Sequence, residues 1–124
     1  MAEASFPVQV TCGMPIVTVP EEIDFVNAAG LRAALVLAAA HGNGTTVVDM
    51  SRTQFCDVAG LHVLTRAHKQ AESEGGEIVM VVSAGTVQRI LALTGIDRLI
   101  RSFSSLDEAM AQLRAGLSVE SSGL

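Results

Sequence analysis

The chain opens on a short alternation. Val8 and Val10 are separated by Gln9 and followed by Thr11, and a second apolar run, Ile16 to Val19, comes after a break at Cys12-Gly13. Two such short runs on either side of a glycine break, with Pro15 nearby, predict a hairpin over residues 6–19. Pro20 to Asp24 reads as the next break. The period then lengthens. Leu31, Ala34, Leu35 and Ala38 recur at i, i+3, i+4 and i+7, which predicts a helix from about Val26 to Ala40. The segment HGNG, residues 41–44, stops it: His41 suits the negative helix end and Gly42 a left-handed cap. Thr45 to Met50 is a β-branched run of the kind found in buried strands. A second helical stripe of Leu61, Leu64, Ala67 and Ala71 places a helix from about Val58 to Ser73, ended by Gly75-Gly76. EIVMVV, residues 77–82, is another buried strand. A third helix is expected from about Gly85 to Leu93, closed by Gly95, with Ile96 returning the chain to the core. Leu99 to Phe103 follows as a short strand, then a helix from Leu106 to Leu117 capped by Ser104 or Ser105. The remaining residues, 118–124, are polar and are expected to fray as a tail.

The order is therefore β-β-α-β-α-β-α-β-α. Buried strands alternating with helices predict an α/β fold: a mixed sheet of four to five strands, parallel pairs joined through helices, an antiparallel hairpin, and the helices packed mainly on one side. A length of 124 residues fits one domain with a single core, placed at residues 6–117.

Composition narrows what such a domain does. There are four Phe and no Trp or Tyr, so Val, Leu, Ile and Ala must build the core. Net charge is −5, and the eight basic residues are scattered singly, which argues against nucleic acid as a ligand. The start, MAEASFPVQV, lacks the basic segment of a secretory signal. The most apolar stretch, AAGLRAALVLAAA, is shorter than the roughly 20 residues a membrane span requires and is interrupted by Arg32. It reads as a core helix, and a cytoplasmic location is expected.

Few residues invite chemistry. Cys12 and Cys56 do not have metal-ligand spacing and read as partly buried thiols. His62 and His68 stand six apart on one helix and His41 lies in a turn, so no metal site is expected. GNGTT lacks the Lys of a phosphate-binding loop, and no nucleophile–base set stands out, so neither a cofactor nor an enzyme is expected. Three carboxylates are better placed. Asp49 lies inside an apolar strand and needs a partner. Asp24 follows the hairpin. Asp57 precedes the helix at Val58 and reads as its cap, accepting from the amide of Ala59 or Gly60.

Three pieces of sequence then fall into a known order. They are EEID at residues 21–24, followed by LRAAL; VVDMSRTQFCDVAGLHVL at 47–64; and VQRILALTGIDRLIRSFSSLDEAM at 87–110. Over residues 8–115 the chain resembles the STAS domain family, and within it the small free-standing anti-sigma factor antagonists. The resemblance implies a partner-switching protein. Such an antagonist binds an anti-sigma factor of the serine-protein-kinase type and so frees a sigma factor. The kinase phosphorylates a Ser or Thr just after the corner Asp, the added charge breaks the complex, and a phosphatase resets it.

Here the matching position is Val58, which has no hydroxyl, and Ala59 beside it has none. Asp24, Asp57, Gly60 and Leu61 match the family. The resemblance thus implies a partner-binding corner made of Asp24, Asp57, Val58, Ala59, Gly60 and Leu61, locked in the uncharged form. The alternative it leaves open is a STAS subunit or scaffold of another assembly, transporter-associated or stress-signalling. Cys56 adds a further expectation. A thiol at a helix N-terminus has its thiolate favoured by the helix dipole, against the nearby charge of Asp57, so Cys56 is a candidate redox gate, alone or with Cys12.

Overall fold

The computed structural model describes residues 6–42 and 44–122. The opening hairpin pairs β1 (Val8–Thr11) with β2 (Met14–Thr18), Val8 opposite Val17 and Thr11 opposite Met14. Its two-residue turn holds Cys12 at φ 54° and Gly13 at φ 78°. Positive φ at both positions matches the twist of the flanking strands. β2 then pairs in parallel with β4 (Thr45–Met50), β4 with β6 (Glu77–Val82), and β6 with β7 (Arg101–Phe103). The five strands lie in the order β1-β2-β4-β6-β7.

The continuous apolar runs of β4 and β6 are explained by cover on both faces. Val48, Met50, Ile78 and Met80 face a core shared with α1 (Ala28–His41), α2 (Val58–Ser73), α3 (Thr86–Thr94) and the single turn α4 (Ile96–Leu99). Leu31, Leu64 and Leu91 are its fully buried anchors, each contributing about 1.5–3 kcal/mol. On the opposite face Ile16, Val47, Val79 and Val81 meet α5 (Leu106–Ser122) alone, through Ala109 and Leu113. The sheet is mixed, and its helices lie mainly on one side, as the pattern indicated.

Several local readings need correction. Gly42 is extended, at φ −110°, not left-handed. Glycine is needed there for space, since a Cβ would stand 2.8 Å from Cγ of Pro15. The positive φ belongs to Gly44, at 115°. Asn43 of the same turn lies outside the described residues. The strand expected from Leu99 begins only at Arg101, because the amide of Ile100 bonds to the carbonyl of Ile96 at 2.8 Å and closes a helical turn first. α5 runs past Leu117 to Ser122, through most of the segment read as a tail. Polarity alone does not stop a helix, and no Gly or Pro follows Gly116 before that point.

The largest difference is at Pro20–Asp24, read as a break. Glu22–Ile23 forms β3, paired in parallel with β5 (Phe55–Cys56) in a separate two-stranded sheet. Two residues are too few to show a period. α1 accordingly starts at Ala28, later than expected.

Candidate functional site

The β3–β5 pair brings two distant segments to one corner. The carbonyl of Glu21 accepts from the amides of Gln54 and Phe55 at 2.7 and 3.2 Å, and the carbonyl of Ile23 accepts from the amide of Asp57 at 3.0 Å. The hydroxyl of buried Thr53 donates to the carbonyl of Pro20 at 2.9 Å. Thus residues 20–24 are fixed against the approach to α2 before any side chain of the corner is considered.

Asp57 then uses both oxygens. Oδ1 accepts the amide of Gly60 at 3.2 Å, the helix cap expected from sequence. Oδ2 accepts the amide of Phe25 at 3.0 Å. Asp24 is engaged in the same way. Its Oδ1 accepts the amides of Val26 at 2.9 Å and Asn27 at 3.2 Å. Asn27 reciprocates, with Oδ1 accepting the amide of Asp24 and Nδ2 donating to the carbonyl of Glu22, both at 2.9 Å. Carboxylates bonded to backbone amides make charge-assisted contacts. These two hold the loop between β3 and α1 against the mouth of α2.

Gly60 lets the elements close together. It is buried, and a Cβ there would lie 2.7 Å from both Sγ of Cys56 and Cγ2 of Ile23. Leu61 is buried in the core below. Gly60 and Leu61 therefore shape the corner from inside, while Asp24, Asp57 and Ala59 are half-buried.

The corner exposes four large apolar side chains. Phe25 and Val26 are each 83 % exposed, Val58 63 % and Phe55 45 %. Sequence reasoning placed Val58 here and missed Phe25, Val26, Phe55 and Asn27. The available signal was an apolar pair directly after Asp24, which reads equally well as the first turn of a helix.

The hydroxyls near the corner are already bonded. Thr53 is occupied as described, and Ser51 donates to Oδ1 of Asp49 at 2.7 Å. The amide of Ser51 bonds to the same oxygen at 3.0 Å, which supplies the partner that a strand carboxylate requires.

The surroundings of Cys56 oppose the lowered pKa expected from its place at a helix mouth. It is buried, and its thiol is pushed up to about 12, first by that burial and then by the charge of Asp57. Burial and the charge of Asp57 both work against the thiolate that the helix dipole favours. Cys12 sits in the β1–β2 turn, beside the start of β4, whereas Cys56 follows its end. A six-residue strand separates them, about 20 Å, well beyond the roughly 7 Å a disulfide allows.

The histidines do not converge. His41 and His62 are exposed on different helices. His41 Nδ1 lies 2.9 Å from the carbonyl of Leu37, at the negative end of α1. His68 is buried, and its Nδ1 accepts the amide of Ile78 at 3.3 Å, pinning α2 to β6. Its Nε2 is 3.3 Å from a carboxylate oxygen of Glu72 but out of hydrogen-bonding alignment.

A two-stranded corner feeding a glycine-bearing helix mouth, set on a mixed sheet of this order, defines a known class, and the chain belongs to the STAS domain family, whose model matches residues 5–109. It is 28 % identical over 104 residues to the anti-sigma-F factor antagonist RsfB of Mycobacterium tuberculosis, covering 84 % of each chain. It is also similar to a crystal structure of an anti-sigma factor antagonist from Mycobacterium paratuberculosis, at 27 % identity and a TM-score of 0.80, over 91 % of this chain and 99 % of that one. A putative anti-sigma factor antagonist of Thermotoga maritima shares the fold, at 24 % identity and a TM-score of 0.78, over 88 % of this chain and 94 % of that one. Among the described residues no helix is long and apolar enough to cross a membrane.

Proposed function

We propose that this chain is an anti-sigma factor antagonist that binds a kinase-type anti-sigma factor through the α2 corner, without the phosphorylation switch. The observation that carries the reading is Val58: at the position matching the family phosphosite, it stands exposed at the helix mouth beside Phe25 and Val26. A phosphoryl group there would bring about −1.5 to −2 charges beside Asp57. Val58 instead offers apolar surface to a partner. Full burial of an exposed Val or Phe contributes about 1.5–3 kcal/mol, so Phe25, Val26 and Val58 together supply a substantial part of a docking free energy.

In this reading the protein is a binding module, not an enzyme. Release of the sigma factor depends on how much antagonist is present and how well it competes, not on its phosphorylation state. The similarity to antagonists of comparable length supports this over a subunit of a transporter-associated or stress-signalling assembly. Titration calorimetry against a kinase-type anti-sigma factor tests it. Wild type is expected to bind, Val58→Asp to bind at least about tenfold more weakly through charge and desolvation, and an exposed control such as Lys69→Ala to match wild type. Equal affinity of Val58→Asp and wild type would place the interface elsewhere.

A further inference from the structure

α1 is apolar on every side. Its inward residues Leu31, Ala34, Leu35 and Ala38 are buried, yet Val36 is 66 % and Leu37 53 % exposed on the outside. Arg32 is the one charged residue between Ala28 and Ala40. A helix apolar all round is normally covered all round. Along it, between α1 and α2, runs a groove of about 1120 Å³. Exposed Val36 and half-buried Val63 and Ala67 line it above a floor of buried Leu35 and Ile78.

Arg32 and His62 line the groove in the first half of the two helices, Arg66 lines it at the middle of α2, and Gln70 and Glu74 line it at the far end of α2. The Glu74 carboxylate already accepts from Nε2 of Gln70 at 2.6 Å. Among the described residues neither Arg32 nor Arg66 is in an ion pair. The outer face starts close to the corner: Ala29, Ala33 and Leu37 recur at i, i+4 and i+8 along α1 and are all exposed.

We propose that the α1–α2 groove docks an amphipathic helix of a partner protein, with acidic residues laid over Arg32 and Arg66. Two helices side by side present ridges and a groove that take the ridge of a third, and an apolar trough reads such a helix through anchors at i, i+3, i+4 and i+7. A small ligand would fill the groove and meet Val36, one of its lining residues, but leave Leu37 uncovered. Pairing with a second copy would bring the arginines of both chains to one interface, with Glu74 as the lining acid to meet them. An acidic partner helix satisfies the apolar face and the charge together. The proposal goes beyond the reading of the corner and does not depend on it.

The test uses the full chain and two fluorescein-labelled synthetic helices with the same leucine seam, one flanked by Glu and the other by Lys, followed by fluorescence anisotropy. The Glu helix is expected to bind at least about tenfold more tightly than the Lys helix, corresponding to two or three solvent-facing charge contacts. Arg32→Glu/Arg66→Glu is expected to reverse that preference. Val36→Asp should weaken both, while Gln112→Ala, exposed on α5 on the opposite face of the sheet, leaves binding unchanged. Circular dichroism checks that each variant is folded. Equal binding of the two helices, no binding of either, or indifference to the double substitution overturns the proposal. So does light scattering that shows a dimer which Val36→Asp makes monomeric, because a second copy then holds the face. None of these outcomes bears on Val58 and its partner.

Discussion

Oδ2 of Asp57 accepts the backbone amide of Phe25 at 3.0 Å, across 32 positions of sequence. The same carboxylate caps α2 through Gly60. One side chain therefore sets both the start of the helix that carries Val58 and the position of the loop that carries Phe25 and Val26. A half-buried carboxylate thus assembles a corner that exposes Phe25, Val26 and Val58.

Asp57→Ala removes a helix cap and leaves the Phe25 amide without its acceptor. A lost cap costs about 1 kcal/mol, and a lost bond to a charged group adds about 1.5–3 kcal/mol where the donor is not resolvated. The expected loss in urea unfolding is about 2.5–4 kcal/mol. Because the Phe25 amide lies at an exposed site, the lower end is favoured. Asp57→Asn, which keeps an acceptor, should retain part of it. A loss within about 0.5 kcal/mol, the range of an ordinary surface change, would mean that this tie does not hold the corner.

Gly60→Ala places a methyl group 2.7 Å from Cys56 Sγ and Ile23 Cγ2. Overpacking of this kind costs about 1–3 kcal/mol. Cys56→Ala removes one of the two obstacles, so the double variant should be more stable than the sum of the single losses predicts. Strict additivity in a double-mutant cycle would contradict the close packing of α2 on β5.

Cys56 gives a pH prediction. Its thiol is raised from 9.0 to about 12 by burial and by Asp57. The unfolded chain therefore gives up this proton at lower pH than the folded one. The associated stability is fully present below about pH 9 and declines as pH rises toward 12. Cys56→Ala should show a weaker decline over the same interval. In native protein a thiol reagent should modify exposed Cys12 quickly and Cys56 only after unfolding. Rapid modification of both thiols in the native state contradicts the burial.

How much of this could be read in the sequence depended on the range of the interactions. The cap by Asp57 and the helical stripe through Leu61 and Leu64 are local, and residue type with spacing revealed them. The sheet followed from the apolar runs at Thr45–Met50 and Glu77–Val82. The β3–β5 pair did not, because two-residue strands have no period and their pairing joins segments about thirty residues apart. Without that pair, Phe25 and Val26 looked like the start of α1, and the apolar face beside Val58 was out of view. Gly42 and Cys56 failed for a related reason. A glycine before a turn suggests a left-handed cap and a thiol at a helix mouth suggests a lowered pKa, but the contact with Pro15 and the depth of burial are set by tertiary packing.

The most direct test of the central claim is intact-mass measurement of wild type and Val58→Ser after incubation with a kinase-type anti-sigma factor and ATP, with the fraction still in complex measured on the same samples. The expected result is wild type unmodified and still bound, and Val58→Ser carrying one phosphate and released. Phosphate on wild type, at Ser51, Thr53 or any other residue, accompanied by release from the partner, would contradict an antagonist without the switch.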